Sequence, residues 1–331
     1  MAKQNVLLRL ENVKMHFPLK KTSLIPKERQ TVKAVDGVTI DIYEGETFGL
    51  VGESGCGKST LGRVILNLYE QTAGKVHYRD IDLSRLSKEE MRKLRNELQI
   101  IFQDPYSSLN PRFTVGQLIS EALITHKMFT RGSQKLEEYV INVMEKCGLQ
   151  SHLIHRYPHQ FSGGQRQRIG IARALALNPK FIVCDEPVTA LDVSIQSQII
   201  NLLMDLKDSQ NLTYLFISHD LGTVKFISDR VAVMYLGNII ELADSEEIFA
   251  NPLHPYTNIL LEAVPTTDEA SKKEAQIIEG DIPSPVNPPS GCKFHTRCRY
   301  TTDLCKTAPP EWREQYPRHW VACHYPIERK T

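Results

Sequence analysis

Apolar and polar positions along the chain change period several times, and each change predicts an element. Residues 5–13 and 37–43 read as strands, and the basic, proline-bearing stretch Leu19–Lys33 between them reads as a loop inserted in a hairpin. The run Thr47-Phe48-Gly49-Leu50-Val51 has the uninterrupted apolar character of a short buried strand. Glycines follow it, and then a helical pattern over Ser59–Tyr69. Residues 84–97 look helical and charged, Leu98–Phe102 reads as a strand, and residues 112–178 are helical with no convincing strand. Strand patterns return at Phe181–Cys184, Thr213–Ile217, Val231–Met234 and Ile239–Leu242, with helical segments between the first three. Such alternation predicts an α/β domain: a parallel sheet with crossover helices and a helical subdomain inserted at about residues 112–178. After Val264 the character shifts, and residues 265–290, with Pro283, Pro285, Pro288 and Pro289, read as a linker to a small C-terminal appendage.

Composition narrows the function classes. Forty basic and thirty-nine acidic residues among 331 give a net charge of +1, which offers no electrostatic case for a nucleic-acid partner. No apolar run approaches the roughly 18 residues of a membrane-spanning helix. The N-terminal MAKQNVLLRLENV is interrupted by Arg9 and Glu11, unlike the apolar centre of a signal peptide. The expected location is therefore the cytoplasm, with any membrane role exercised through a partner. Three cysteines (Cys56, Cys147 and Cys184) are scattered, whereas Cys292, Cys298, Cys305 and Cys323 crowd the tail. In a reducing compartment such clustered thiols point to a metal rather than to disulfides.

Three motifs carry chemistry. Gly52-Glu53-Ser54-Gly55-Cys56-Gly57-Lys58-Ser59-Thr60 lies between a strand and a helix, the arrangement of a phosphate-binding loop. Its glycines let backbone N–H groups converge on phosphate oxygens, and the helix presents its positive end to the same anion. Lys58 is placed to reach the β- and γ-phosphates, and the Ser59 hydroxyl to bind Mg²⁺. Phe181-Ile182-Val183-Cys184-Asp185-Glu186 ends a buried strand in two acids, where open α/β sheets bind ligands. Asp185 is assigned to Mg²⁺ and Glu186 to the attacking water. Phe161-Ser162-Gly163-Gly164-Gln165 opens a helix that Pro179 ends. Ser162 alone would be an N-cap, but two glycines just inside a helix are costly without a ligand that needs close backbone approach.

These motifs resemble the ATP-binding cassette family, whose Leu-Ser-Gly-Gly-Gln signature differs here only at Phe161. The resemblance implies a P-loop NTPase fold: a RecA-like parallel sheet core, an antiparallel β subdomain, an inserted α-helical subdomain and here a small Cys-rich extension. It divides the chain into a cassette at residues 1–250 and an extension at 251–331. It also implies a head-to-tail dimer, in which the signature of one subunit closes over ATP held on the other's loop. Gln103 then matches the glutamine that approaches Mg²⁺ and water and heads the segment facing the membrane subunits. Ala190-Leu191-Asp192 matches the loop at the dimer interface, His219 the histidine near the γ-phosphate, and Phe17 the aromatic that stacks on adenine, with His16 beside it as a substitute.

Asn251-Pro252-Leu253-His254-Pro255-Tyr256-Thr257 resembles a motif of oligopeptide and dipeptide importers. So do Gln103–Pro111, Arg156-Tyr157-Pro158-His159-Gln160 and Cys56 within the loop. The resemblance implies a peripheral subunit on the cytoplasmic side of the cell membrane. Its expected partners are a paralogous D-type ATPase, two permeases and, indirectly, an extracellular peptide-binding protein. Nickel or another small solute is the alternative cargo, and a soluble ATPase of translation or repair the more remote reading. The tail cysteines are separated by five, six and seventeen residues. Four thiolates suit zinc or an iron–sulfur cluster equally by ligand count, though structural zinc sites use closer pairs. The family resemblance favours [4Fe-4S].

Overall fold

The computed structural model describes residues 5–19, 30–263 and 280–329. Residues 20–29 of the expected loop and 265–279 of the expected linker lie outside them. In chain order the strands are β1 (Val6–Pro18), β2 (Thr31–Tyr43), β3 (Thr47–Val51), β4 (Ala73–Tyr78), β5 (Ile81–Asp82), β6 (Leu98–Ile101), β7 (Phe181–Asp185), β8 (Thr213–Ile217), β9 (Arg230–Tyr235), β10 (Asn238–Asp244), β11 (Trp312–Tyr316) and β12 (His319–Ala322). The chain divides into two compact units. One comprises Met1–Tyr43, Phe48–Ser84 and Ser218–Thr331, and the other comprises Glu44–Thr47 and Arg85–Ile217.

The first unit holds an antiparallel sheet in the order β2-β1-β4-β5. β1 buries Leu7, Leu8, Leu10 and Val13 and exposes Arg9, Glu11 and Asn12, so one face is dry and the other wet. Beside it, β3 runs parallel to β9, from the pair Phe48 and Arg230 to the pair Val51 and Val233. Every residue of both strands is buried, which explains their continuous apolar runs. β9 and β10, which no crossover helix separates, are antiparallel. Their connection is only Leu236-Gly237, with φ of 40° and 81°, and a two-residue turn of that kind reverses the chain.

The tail contributes two strands that the sequence pattern does not reveal. β12 pairs antiparallel with β10 and β11 with β12, extending the sheet at that edge. A buried carboxylate fixes this junction. Glu241 on β10 lies 2.8 Å from His319 Nε2 and accepts the backbone N–H groups of Leu253 (2.6 Å) and His254 (2.9 Å). With three donors around it, this buried acid is satisfied rather than orphaned.

The second unit holds β8, β7 and β6 as neighbouring parallel strands. Between Ile101 and Phe181 its described residues form helices and turns only. Reciprocal capping boxes set three of the starts: Ser87 with Glu90, Thr114 with Gln117, and Ser162 with Gln165. No helix among the described residues is long and apolar enough to cross a membrane.

His254 supplies a pH test of the first unit's core. It is buried, its Nδ1 accepts the Tyr256 N–H at 3.0 Å, and burial lowers its pKa to about 3. The unfolded chain therefore takes up this proton first. Stability should be level above about pH 6.5 and fall as pH drops from there towards 3, by on the order of 5 kcal/mol at the limit. Urea unfolding across that range should show a shallower pH slope for His254→Gln than for the unaltered chain.

Candidate functional site

The phosphate loop leaves β3 at Gly52 and enters the helix Lys58–Ile65. Two glycines are dictated by space. A Cβ at Gly52 (φ 148°) would lie 2.2 Å from the Met234 carbonyl oxygen, and one at Gly57 (φ 113°) 2.0 Å from that of Ala34. At Gly55 a Cβ would meet nothing within 4 Å, so the loop's middle faces open space. The Lys58 ammonium, buried with its residue, donates to Gly52 O at 2.8 Å and Glu53 O at 3.0 Å, closing the loop into a ring. Cys56 Sγ lies 3.8 Å from it, and burial raises that thiol's pKa. Gly57 at the N-cap has no side chain to offer the first-turn amides, so that turn is built to receive an anion.

Glu186 stands at the carboxyl end of β7 with φ 49°, a conformation that non-glycine residues adopt at a cost of about 1–3 kcal/mol and often at reacting centres. Its N–H donates to Ile217 O at 3.0 Å. Its Oε2 accepts from Gln103 Nε2 at 2.8 Å and Thr189 Oγ1 at 3.1 Å. The structure thus brings together Gln103 and Glu186, which the sequence separates by 83 positions. Asp185, one residue earlier, is buried. In the first unit, the Ser218 N–H donates to Leu50 O of β3 at 3.3 Å, which fixes where the chain turns to the exposed His219.

Ser162 caps the helix Gly163–Leu175, and Ser162, Gly163 and Gln165 are exposed while Phe161 and Gly164 are buried. A Cβ at Gly164 would lie 2.5 Å from Ile195 Cγ2, on the helix Val193–Gln210. Packing is therefore a second reason for that glycine, beside the ligand argument from sequence. Asp192 precedes the same helix, and Val193 is 78% exposed. Phe17 meets Tyr69 edge-to-face at 5.5 Å. Its neighbour His16 is engaged with Asp36 at 3.0 Å.

The four tail cysteines line one cavity of about 20 Å³ with Phe294, Tyr300 and Tyr325. Burial, and secondarily the neighbouring thiols, raise Cys292 to about 11 and Cys323 to about 12. His295 and His324 are turned to the backbone carbonyls of Cys292 and Ala308. Among the described residues no three His, Cys, Asp or Glu side chains stand in metal-holding geometry. Tyr256 and Arg297 bond the phosphate loop at Glu53 from far along the chain; the motif that contains Tyr256 gives no sign of this contact, and no local pattern marks Arg297.

Known proteins resemble this chain in sequence and fold. The ABC transporter family profile matches residues 35–189, and that of the oligopeptide/dipeptide transporter C-terminal region matches residues 240–305. The oligopeptide transport ATP-binding protein AppF of Bacillus subtilis is 52% identical over 98% of this chain and 98% of its own. OppF of Salmonella typhimurium, with the same description, is 51% identical over 97% and 96%. Among solved structures, the cassette MJ0796 bound to ADP and Pi in a dimeric post-hydrolysis state aligns with a TM-score of 0.64 at 27% identity. It covers 72% of this chain and 98% of its own. CbiO1 from Clostridium perfringens, part of the cbiONQ transporter complex, aligns at 0.63 and 27% identity over 75% and 92%.

If Gly164 is set by packing, Gly164→Ala should lower the melting temperature by several degrees, the usual scale of overpacking. Trimming its neighbour in Gly164→Ala/Ile195→Ala should recover much of that loss. An unrecovered double variant, followed by thermal denaturation, would place the requirement outside this contact.

Proposed function

Because the chain belongs to the ATP-binding cassette transporter family, we propose that it is the ATP-hydrolysing subunit that powers import of oligopeptides or dipeptides. The observation that carries this reading is the closed phosphate loop, with Lys58 bonded across its mouth and an uncapped helix start behind it. The loop amides of residues 52–60 and the Lys58 ammonium receive the β- and γ-phosphates, and Phe17 stacks on adenine. Ser59, Asp185 and Gln103 offer hydroxyl, carboxylate and amide oxygens, the hard donors that Mg²⁺ takes. Gln103 fits twice over, since its amide N–H₂ is spent on Glu186 and its oxygen remains for the cation.

Glu186 accepts the proton of the attacking water, with its carboxylate held in place by Gln103 and Thr189. His219 steadies the γ-phosphate. Ser162, Gly163, Gly164 and Gln165 serve a nucleotide on another subunit, which the exposure of Ser162, Gly163 and Gln165 supports. Hydrolysis then requires a dimer, and the partner we favour is a paralogous D-type ATPase. Two permeases complete the engine on the cytoplasmic side of the membrane. The segment after Gln103, with Tyr106 64% exposed, faces them. In this division residues 1–250 form the cassette, with a helical subdomain at about 112–178, and residues 251–331 the extension.

A thiolate-held group at Cys292, Cys298, Cys305 and Cys323 is part of the proposal, supported by these four residues lining one cavity. A [4Fe-4S] cluster, or zinc in its place, would cross-link the tail there and supply the positive charge that stabilises thiolates at neutral pH. Anaerobically purified protein should be brown, with absorbance near the visible edge. A colourless preparation with stoichiometric zinc would decide for zinc.

In the assembled transporter, Glu186→Gln should lower ATP turnover at least 100-fold while nucleotide still binds, and Lys58→Ala should lose the binding itself. Phosphate release together with nucleotide titration separates the two. Unchanged turnover in Glu186→Gln would remove that residue from the mechanism.

A further inference from the structure

Glu53, the second residue of the phosphate loop, is held from three directions. Its carboxylate receives both arms of the Arg297 guanidinium, Nη1 to Oε2 at 2.8 Å and Nη2 to Oε1 at 3.0 Å. Its N–H donates to Tyr256 Oη at 2.9 Å, and its carbonyl accepts from Lys58 at 3.0 Å. The pair is well shielded, with the Arg297 side chain 6% exposed and that of Glu53 20%. Paired guanidinium and carboxylate forks at such distances combine charge with fixed direction, and lysine cannot reproduce the fork.

Both outside contacts come from the tail. Tyr256 opens the helix Pro255–Glu262, and its ring packs edge-on against Tyr235 at 4.8 Å and Phe294 at 5.3 Å. Arg297 sits in the compact turn between Cys292 and Cys298, where its own N–H bonds Phe294 O at 3.0 Å. The turn that brings two cysteines to the thiol cavity therefore also delivers the guanidinium to the loop. A carboxylate beside a polyphosphate site is a liability unless it is neutralised, because like charges within a few ångströms repel strongly in a water-poor environment. Arg297 supplies that neutralisation and removes the carboxylate's freedom to turn towards the phosphates.

We propose that Arg297 is a positioning residue for nucleotide: by neutralising and pinning Glu53, the cysteine segment of the tail sets the affinity of the phosphate loop for ATP. The proposal rests on the reading that this loop binds ATP, and the titration that tests it includes controls for that reading.

Purified full-length chain is titrated with a fluorescent ATP analogue and Mg²⁺, with thermal denaturation run in parallel. Arg297→Ala should weaken binding about tenfold, equivalent to about 1.4 kcal/mol. Adding Glu53→Gln, which deletes the exposed charge, should restore affinity to within about threefold of the unaltered chain; a merely structural loss would not be rescued this way. Unchanged affinity in Arg297→Ala would overturn the proposal, and so would a weakening that Glu53→Gln fails to relieve. Should Arg297→Ala not fold, Arg297→Lys keeps the charge but not the fork and must bind with intermediate affinity; equality with the unaltered chain would refute the role. If the unaltered chain and Lys58→Ala bind the analogue equally poorly, the nucleotide reading itself fails, separately from the Arg297 claim.

Discussion

The backbone of the phosphate loop passes so close to two neighbouring strands that no side chain fits at two of its positions. Gly57 abuts the Ala34 carbonyl on β2, and Gly52 abuts the Met234 carbonyl on β9. The loop is thus wedged between the antiparallel sheet and the β3–β9 pair, and its ring shape follows from the walls as much as from its own sequence. Lys58 completes the ring by bonding two loop carbonyls. A cation already ordered across the mouth spends little entropy when phosphate arrives, which is the advantage of preorganisation. Removing either wall would cost the loop its geometry before any catalytic residue were touched.

The tail belongs to this same construction. β12 extends the sheet at β10, and Glu241 ties β10 to His319 and to the Leu253–His254 turn through buried bonds. That turn leads directly to Tyr256, which reaches the loop amide of Glu53. A path of packed and bonded groups therefore runs from the tail hairpin to the phosphate site. Sequence motifs assign the C-terminal segment to a transporter class, but its physical work begins at the loop.

Legibility in the sequence followed burial. Strands β3, β7 and β8 are buried at every residue, so their apolar runs are unbroken and readable. β4 opens with exposed Ala-Gly-Lys and β11 carries three exposed residues in a row, so neither shows a period. The reversed direction of β10 lay in the two-residue turn at Leu236-Gly237 rather than in the strand itself. In the candidate site, local motifs mark Lys58, Asp185 and Glu186, whereas the contact between Gln103 and Glu186 spans 83 positions and shows only in the fold. Arg297 is not legible in the sequence because its partner is 244 positions away and the two arginines flanking Cys298 carry no spacing signal. At Gly164 the facing Ile195 adds a packing reason for glycine that the sequence alone does not show.

These features suit the proposed reading, in which Glu186 handles the attacking water and the exposed Ser162, Gly163 and Gln165 serve a nucleotide held by another subunit. The central claim is that neither subunit is complete alone. Specific ATPase activity of the chain mixed with the paralogous ATPase proposed as its partner, followed on dilution with sedimentation to report the species present, tests this most directly. The account predicts that activity per subunit falls as the dimer dissociates. Constant specific activity from a chain that sediments as a monomer would contradict it.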